Sequence, residues 1–204
     1  MVQATRGIVR DLDIRRALLL KMKQLHYKEP DTRVVEELGL CQGNARVDIA
    51  VVNGSLHGYE IKSERDTLNR LPSQCETYNR SLDFVTIVAS SAHLEKIRKL
   101  VPGWWGIWTA QARGSRLQLQ VERAGQRNPT VIPLAMAQLL WREEALQVLE
   151  EAGAAEGLRN KTRNQIWQRL TEALTTNQLG DAVRSKLKAR QHWRADVPPA
   201  LCGD

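Results

Sequence analysis

The stretch RVDIAVVNGSLHGYEIKSE, residues 46–64, decides the fold because it predicts two apolar strands joined around an Asn-Gly turn. Side chains alternate between the two faces of a strand. Each strand is therefore predicted to have an apolar face of odd-numbered residues and a second face that bears the charges Asp48, Glu60 and Lys62. The apolar face comprises Val47, Ile49, Val51, Tyr59 and Ile61.

The register of this hairpin follows from the requirement that both apolar faces meet one core. Paired residue numbers must then add up to an even number, and a sum of 108 pairs Val52 with Leu56 and Asp48 with Glu60. This register needs a three-residue connection, residues 53–55. The two-residue turn that Asn-Gly usually signals would place Asp48 and Glu60 on opposite sides.

Asp48 and Glu60 are therefore predicted to lie about 5 Å apart at Cβ, where two carboxylates repel each other unless a cation lies between them. Magnesium takes hard oxygen ligands, commonly one or two carboxylates together with waters and a phosphate oxygen. Lys62 is close enough in sequence to hold a water or to neutralise a phosphate. The residues thus predict a metal and phosphate site, and the alternative is a solvated hairpin face of mixed charge.

Composition narrows the possible functions. The 204 residues carry a net charge of +7, which favours a polyanion such as nucleic acid, although many basic proteins bind none. Three widely spaced cysteines and four scattered histidines argue against a disulfide framework, a zinc ribbon and a histidine-metal enzyme. The apolar runs are too short to span a bilayer, and the first residues do not form a signal peptide, so a cytoplasmic location without a membrane partner is expected.

The order of predicted elements indicates an α/β core followed by helices. A helix is predicted at 11–28, strands at 46–52, 56–63 and 83–90, and a helix at 66–81 with a kink or fresh start at Pro72. Residues 33–40 are ambiguous between a strand and a helical turn, a serine-capped helix follows residue 90, and two further strands flank Arg113-Gly114. Beyond residue 128, Pro133 is expected to open a helix that Gly153 closes, and Asn160 and Asn177 are expected to cap two more. The predicted domains are an α/β core at 1–130, a helical extension at 131–196 and a loose tail at 197–204.

Asp48, followed by Glu60-Ile61-Lys62 on a hairpin and then by a helix, resembles the PD-(D/E)XK nuclease superfamily. Gln74-x-x-x-Tyr78 resembles the QxxxY motif of its RecB-like branch, so the superfamily motif covers about residues 37–78. Val47 stands before Asp48 where the motif has proline, a position that varies widely in the superfamily. A closer resemblance, to an uncharacterised bacterial family assigned to the superfamily, covers most of the chain. It rests on RVDIAVVNG (46–54), HGYEIKSERDTLNRLPSQ (57–74), GWWGIW (103–108) and LLWREEAL (139–146).

The resemblance implies a restriction-endonuclease-like mixed β-sheet flanked by helices, with magnesium-dependent hydrolysis of DNA and manganese as the expected substitute ion. Asp48 and Glu60 would hold the metal, with the Ile61 carbonyl as a further ligand and Glu37 acting directly or through water. Lys62 would position the attacking water and stabilise the developing charge. Gln74 would reach the same site. Glu37 is preferred to Glu36 because Leu38 beside it would pack, and the alternative is that both are surface acids.

Nucleic-acid contacts are predicted at two places. Near the hairpin, the candidates are Ser63, Arg65, Arg70 and Tyr78, with polar surface, or core for Tyr78, as the alternative. In the run RSKLKARQHWR, residues 184–194, five cations occur without an acid, which is typical of a phosphate-binding patch or of a solvated face. These cations are Arg184, Lys186, Lys188, Arg190 and Arg194. Trp104, Trp105 and Trp108 could stack on bases, and packing against helices is the alternative.

Three functions are therefore compared. The first is a magnesium-dependent DNA nuclease, and the second is a non-cleaving DNA-binding or regulatory module on the same fold. The third is a structural module whose C-terminal helices bind a protein partner or a second copy of the chain. Only the first predicts metal-dependent cleavage, and the third predicts no salt-sensitive binding to DNA.

Overall fold

The structure, a computed structural model, describes residues 9–114 and 116–191 and is built around a six-stranded sheet. The strands are β1 (Arg33–Leu40), β2 (Ala45–Val52), β3 (Leu56–Lys62), β4 (Phe84–Ser90), β5 (Gly106–Arg113) and β6 (Arg116–Arg123). The helices are α1 (Asp11–Leu25), α2 (Leu71–Ser81), α3 (Leu94–Leu100), α4 (Pro133–Ala137), α5 (Arg142–Glu151), α6 (Arg163–Ala173) and α7 (Thr176–Ala189).

The sheet is mixed, and its strands neighbour one another in chain order. Strands β1, β2 and β3 pair antiparallel, β3, β4 and β5 pair parallel, and β6 returns antiparallel to β5. A parallel pair needs a crossover connection, and α2 and α3 lie in the two crossovers. The predicted α/β class with a mixed sheet flanked by helices is confirmed, and the ambiguous residues 33–40 form strand β1.

The predicted hairpin register is confirmed over the paired part of β2 and β3. Val52 pairs with Leu56 and Ile49 pairs with Tyr59, so every pair adds up to 108. Residues 53–55 form the three-residue connection, in which the Asn53 side chain accepts a hydrogen bond from the Ser55 amide at 3.0 Å.

The two faces of the sheet belong to two hydrophobic clusters. Helix α1 covers one face, where Ile14, Leu18 and Met22 are fully buried against Ile49 and Tyr59. Helix α2 and the C-terminal helices cover the other face, in a cluster that runs from Val35 and Leu56 to Leu187. Helices α4 to α7, residues 133–189, therefore pack on the same core as the sheet. The predicted tail, residues 197–204, lies outside the described residues.

The predicted face of Val47 is wrong. Val47 packs in the α2-side cluster, whereas Ile49 packs beneath α1. The pairing of β1 with β2 passes from Glu36–Ile49 directly to Leu38–Val47, and Glu37 between them has a left-handed backbone with φ of 56°. Because this residue interrupts the alternation, both strands exchange their faces at Glu37 and Asp48.

Two helix boundaries also differ from the predictions. Helix α2 begins afresh at Leu71 with Pro72 in its first turn, so residues 66–70 are not helical. The predicted helix from Pro133 to Gly153 is two helices, because Trp141 has an extended backbone and begins α5 as its N-cap. The Trp141 amide donates a hydrogen bond to the Glu144 carboxylate at 2.7 Å, which caps the N-terminus of α5.

The predicted asparagine caps, Asn160 and Asn177, are wrong. Thr162 caps α6 and Thr175 caps α7, each with a glutamine three residues later. The threonine hydroxyl accepts from the glutamine amide and the glutamine side chain accepts from the threonine amide, so two helix-terminal donors are satisfied at each end. In the described part of the chain, no helix is long and apolar enough to cross a membrane.

Candidate active site

A cleft of about 520 Å³ opens where β2 and β3 stop pairing, beyond Ile49 and Tyr59. Its walls come from both strands, from the start of α1 and from the first turns of α2. The structure thereby brings together most of the residues predicted from the hairpin. The ionisable and amide side chains that line it are Asp11, Glu37, Asn44, Arg46, Asp48, Glu60, Lys62, Asp66, Arg70 and Gln74.

A larger groove of about 920 Å³ lies between α1 and β6. Asp13 is its one lining carboxylate in the described chain, together with Arg16, Lys21 and Arg116. Since it offers neither paired acids nor buried polar side chains, the smaller cleft is the better candidate for chemistry.

Asp48 lies at the point where the two strands separate. The Ile61 amide donates to Asp48 Oδ2 at 2.7 Å, so the side chain takes the place of a backbone partner. Arg15 Nη2 donates to Oδ1 at 2.7 Å. Burial and the nearby Glu60 carboxylate raise the pKa of Asp48 to about 7, although the Ile61 amide and Arg15 oppose the rise.

Glu60 is held in a buried network. Lys62 Nζ and Gln74 Nε2 both donate to Glu60 Oε1 at 2.6 Å, and Lys62 also donates to Gln74 Oε1 at 3.1 Å. The Tyr78 hydroxyl lies 2.6 Å from Glu60 Oε2 and 2.7 Å from the Arg46 carbonyl, and its single proton can go to either acceptor. Burial and Glu60 raise the pKa of Tyr78, so the hydroxyl stays protonated as a donor.

Arg15 on α1 contacts the cleft carboxylates of Glu37 and Asp48, a contact that the sequence did not predict. Its guanidinium lies 2.7 Å from Asp48, 3.0 Å from Glu37, 3.6 Å from Asp11 and 3.7 Å from Glu36. Burial lowers the pKa of Arg15, but the carboxylates of Asp48, Asp11 and Glu37 outweigh this and raise it. The one local signal is the Asp11–Arg15 spacing, which is typical of an ordinary exposed helix pair.

Two predicted nucleic-acid contacts near the hairpin are wrong. Tyr78 is 0% exposed and Ser63 is 4% exposed, so neither can reach a ligand in solvent. The Ser63 hydroxyl and amide both donate to Asp66 Oδ2, at 2.6 and 2.7 Å. Arg65 and Arg70 are exposed, and Arg70 lines the cleft, so their contacts with nucleic acid stay predictions.

The C-terminal run is not a free cationic face, because acids from distant parts of the chain pair with its described cations. Arg184 binds Asp83 at 3.2 Å, and Lys186 binds Glu151 at 2.8 Å. Lys188 pairs with Asp31, and Arg190 is buried. Arg190 Nε donates to Glu144 at 2.7 Å and its guanidinium lies over the Trp141 ring. Arg194 lies outside the described residues.

The tryptophans serve packing in the described structure. Trp105 is fully buried, stacks on Tyr78 with ring centroids 6.0 Å apart, and donates to Asn79 at 2.8 Å. Trp108 is half-buried and meets the edge of Tyr59. Base stacking by Trp105 is therefore excluded.

The fold and the cleft together define an α/β protein with an acidic site where strands β2 and β3 separate. The family described as Bacteriophage P4 protein cII matches residues 8–197, and the chain belongs to that family. Protein cII of Enterobacteria phage P4 is 25% identical over 162 residues, 79% of this chain and 61% of the phage protein. The chain thus spans about three fifths of the length of that curated relative.

Among solved structures, a protein of unknown function from Silicibacter pomeroyi matches 75% of this chain and 100% of its own. Its sequence identity is 19% and the TM-score is 0.41. These matches leave the resemblance to the PD-(D/E)XK superfamily as a prediction.

Proposed function

We propose that the chain is a nuclease with a restriction-endonuclease-like fold that hydrolyses DNA phosphodiester bonds with the help of magnesium. The observation that carries this proposal is the cleft itself, in which Asp48, Glu60 and Lys62 meet. The two carboxylates are close enough that Glu60 raises the pKa of Asp48 in spite of the neighbouring Arg15. Two carboxylates so close together, in a partly buried place, are the setting that a divalent cation stabilises.

The donor set fits magnesium through two carboxylates. Among the described residues, no three His, Cys, Asp or Glu side chains form a ready group for a metal. Magnesium, however, commonly takes only one or two protein carboxylates and keeps its waters. Asp48 and Glu60 would hold it, with the Ile61 carbonyl and Glu37 as further ligands. A bound magnesium ion would polarise the phosphate and lower the pKa of a water.

The chain's own residues would orient the reacting groups. The Lys62 ammonium is fixed by Glu60 and Gln74, so it donates from a defined position to charge that develops on the phosphate. Tyr78 and Gln74 hold the Glu60 carboxylate from both oxygens. Arg46 and Arg70 lie on the cleft walls, where they would attract the nucleic-acid backbone.

A second candidate function is a non-cleaving DNA-binding module. It is favoured by the hydrogen bonds that the two central carboxylates already accept. Asp48 accepts from Arg15 and Ile61, and Glu60 accepts from Lys62, Gln74 and Tyr78. Three of these four oxygens thus have a donor from the protein, and Glu60 Oε2 has one whenever Tyr78 donates to it rather than to the Arg46 carbonyl.

Cleavage assays distinguish the two functions. Linear, nicked, single-stranded and branched DNA are incubated with the purified chain in magnesium, manganese or EDTA. We expect metal-dependent cleavage that falls by about 100-fold or more in Glu60→Gln, on the order of the loss of one transition-state contact. Glu64→Gln, an exposed acid nearby, is the matched control and should cleave like wild type. Wild-type cleavage by Glu60→Gln would end the proposal, and binding without cleavage would favour the second candidate.

The salt dependence of DNA binding is expected to separate the two basic regions. In a Glu60→Gln background, Arg65→Ala with Arg70→Ala should flatten the log–log salt slope by about two units if both contact phosphate, at roughly 0.9 per contact. Lys186→Ala with Lys188→Ala should leave the slope unchanged, because these lysines pair with Glu151 and Asp31. A flattened slope in the lysine pair would show that the ion pairs open on binding.

A further inference from the structure

Arg15 on α1 contacts the Asp48 carboxylate, which the proposed metal would need. Its Nη2 atom lies 2.7 Å from Asp48 Oδ1, and its Nη1 atom donates to the Asp48 carbonyl at 3.1 Å. The same guanidinium lies 3.0 Å from Glu37, the proposed further ligand. The Arg15 side chain is 15% exposed, so solvent screens these contacts little.

We infer that Arg15 competes with a divalent cation for Asp48 and Glu37, so that the cleft takes up metal only when the guanidinium withdraws. This inference rests on the proposed function and names the regulation of that site. A guanidinium and a metal ion beside the same carboxylate oxygen repel each other, and Arg15 keeps its charge throughout the physiological pH range. The acids that would attract a metal are therefore already neutralised by the protein.

Two other acids, Asp11 and Glu36, lie close enough to pair with Arg15 if it leaves Asp48. Asp11 and Glu36 lie 3.6 and 3.7 Å from the guanidinium and are more exposed than Asp48, with side-chain exposures of 43%, 51% and 20%. A change of side-chain rotamer would carry the guanidinium outward to these two acids. Helix α1 is expected to stay in place during this rotamer change, because Ile14 and Leu18 anchor it in the core, where both are fully buried.

Manganese titration of the metal-free protein by calorimetry tests the competition. We expect Arg15→Gln to bind manganese at least about 10-fold more tightly than wild type, a difference of roughly 1.4 kcal/mol. Arg46→Gln is the matched control, because Arg46 lines the same cleft and pairs with Glu37 at 3.8 Å but makes no ion pair with Asp48 in the described structure. Its effect should stay below about 3-fold, as expected for a screened charge near the surface.

Two further variants define the mechanism. Arg15→Lys keeps a cation beside Asp48 and should bind manganese close to wild type, while Asp48→Asn in the Arg15→Gln background should remove the gain. Urea unfolding in EDTA confirms that each variant is folded, and manganese should stabilise Arg15→Gln more than wild type.

The outcomes separate this inference from the proposed function. Equal gains in Arg15→Gln and Arg46→Gln would overturn the competition and leave the metal site in place. An unchanged affinity in Arg15→Gln would do the same. No manganese binding by wild type or by Arg15→Gln would overturn the metal site and the competition together.

Discussion

Replacing Lys62 with Met is expected to lower the free energy of unfolding by about 3 kcal/mol and to reduce DNA cleavage by about 100- to 1000-fold. Lys62 and Glu60 form an ion pair at 2.6 Å with side chains only 6% and 3% exposed. Removing the lysine leaves a buried carboxylate without its cation, which usually costs 3 to 5 kcal/mol. We expect about the lower value because Gln74 and Tyr78 still donate to Glu60. Urea unfolding in EDTA measures the stability.

The double variant Glu60→Gln with Lys62→Met separates the structural from the catalytic contribution. It removes both buried charges, so most of the lost stability should return. Cleavage should remain abolished, because neither the carboxylate nor the ammonium is restored. A double variant as unstable as Lys62→Met alone would contradict the buried ion-pair explanation, and recovered cleavage would contradict the proposed roles.

Asp48→Asn is expected to change how stability depends on pH. Burial and Glu60 raise the pKa of Asp48 to about 7 in the folded chain, from an ordinary value of 3.8. The folded state therefore holds the Asp48 proton more tightly than the unfolded state. The resulting stabilisation is complete below about pH 4 and is lost as the pH rises to about 7. At 1.36 kcal/mol per pH unit, wild type should lose on the order of 2 to 3 kcal/mol more than the non-titrating Asn variant between pH 5 and pH 8.

Urea unfolding of both proteins in EDTA, across this pH range, measures the difference. Glu60→Gln provides a second comparison, because removal of the neighbouring carboxylate should lower the pKa of Asp48 and shrink the pH-dependent loss. Parallel stability profiles of wild type and Asp48→Asn would show that the Asp48 carboxyl ionises at its ordinary pKa.

The sequence predicted the parts of the site that depend on short-range geometry. The apolar residues at odd-numbered positions of both strands predicted the pairing of Val52 with Leu56. A slip of one residue would have turned the apolar face of one strand towards solvent. Glu60 and Lys62 are two residues apart on one strand, and Gln74 lies near the start of the following helix. Their meeting follows from the hairpin, the helix and the direction of the connection between them.

The other features of the fold and the site depend on contacts that no local sequence pattern indicates. Glu37 adopts a left-handed backbone that glycine or asparagine would have signalled but glutamate does not, so the changed face of Val47 was missed. Arg15 reaches Asp48 across 33 positions of sequence. The run 184–194 contains no acid, and Asp181 just before it pairs with Arg184, yet its cations also meet acids supplied by other elements. Charge counting along the sequence could not distinguish these paired cations from a free patch.

The packing of α7 has a consequence for the synthesis of the chain on the ribosome. Leu179, Val183 and Leu187 complete the α2-side core, and Lys188 pairs with Asp31, 157 positions earlier. At roughly 5 to 20 residues per second, translation of that interval takes about 8 to 30 s. Until α7 emerges, the strands already synthesised have an apolar face that this helix does not yet cover. Chaperones that bind such surfaces are therefore expected to engage the nascent chain until residues 176–189 emerge.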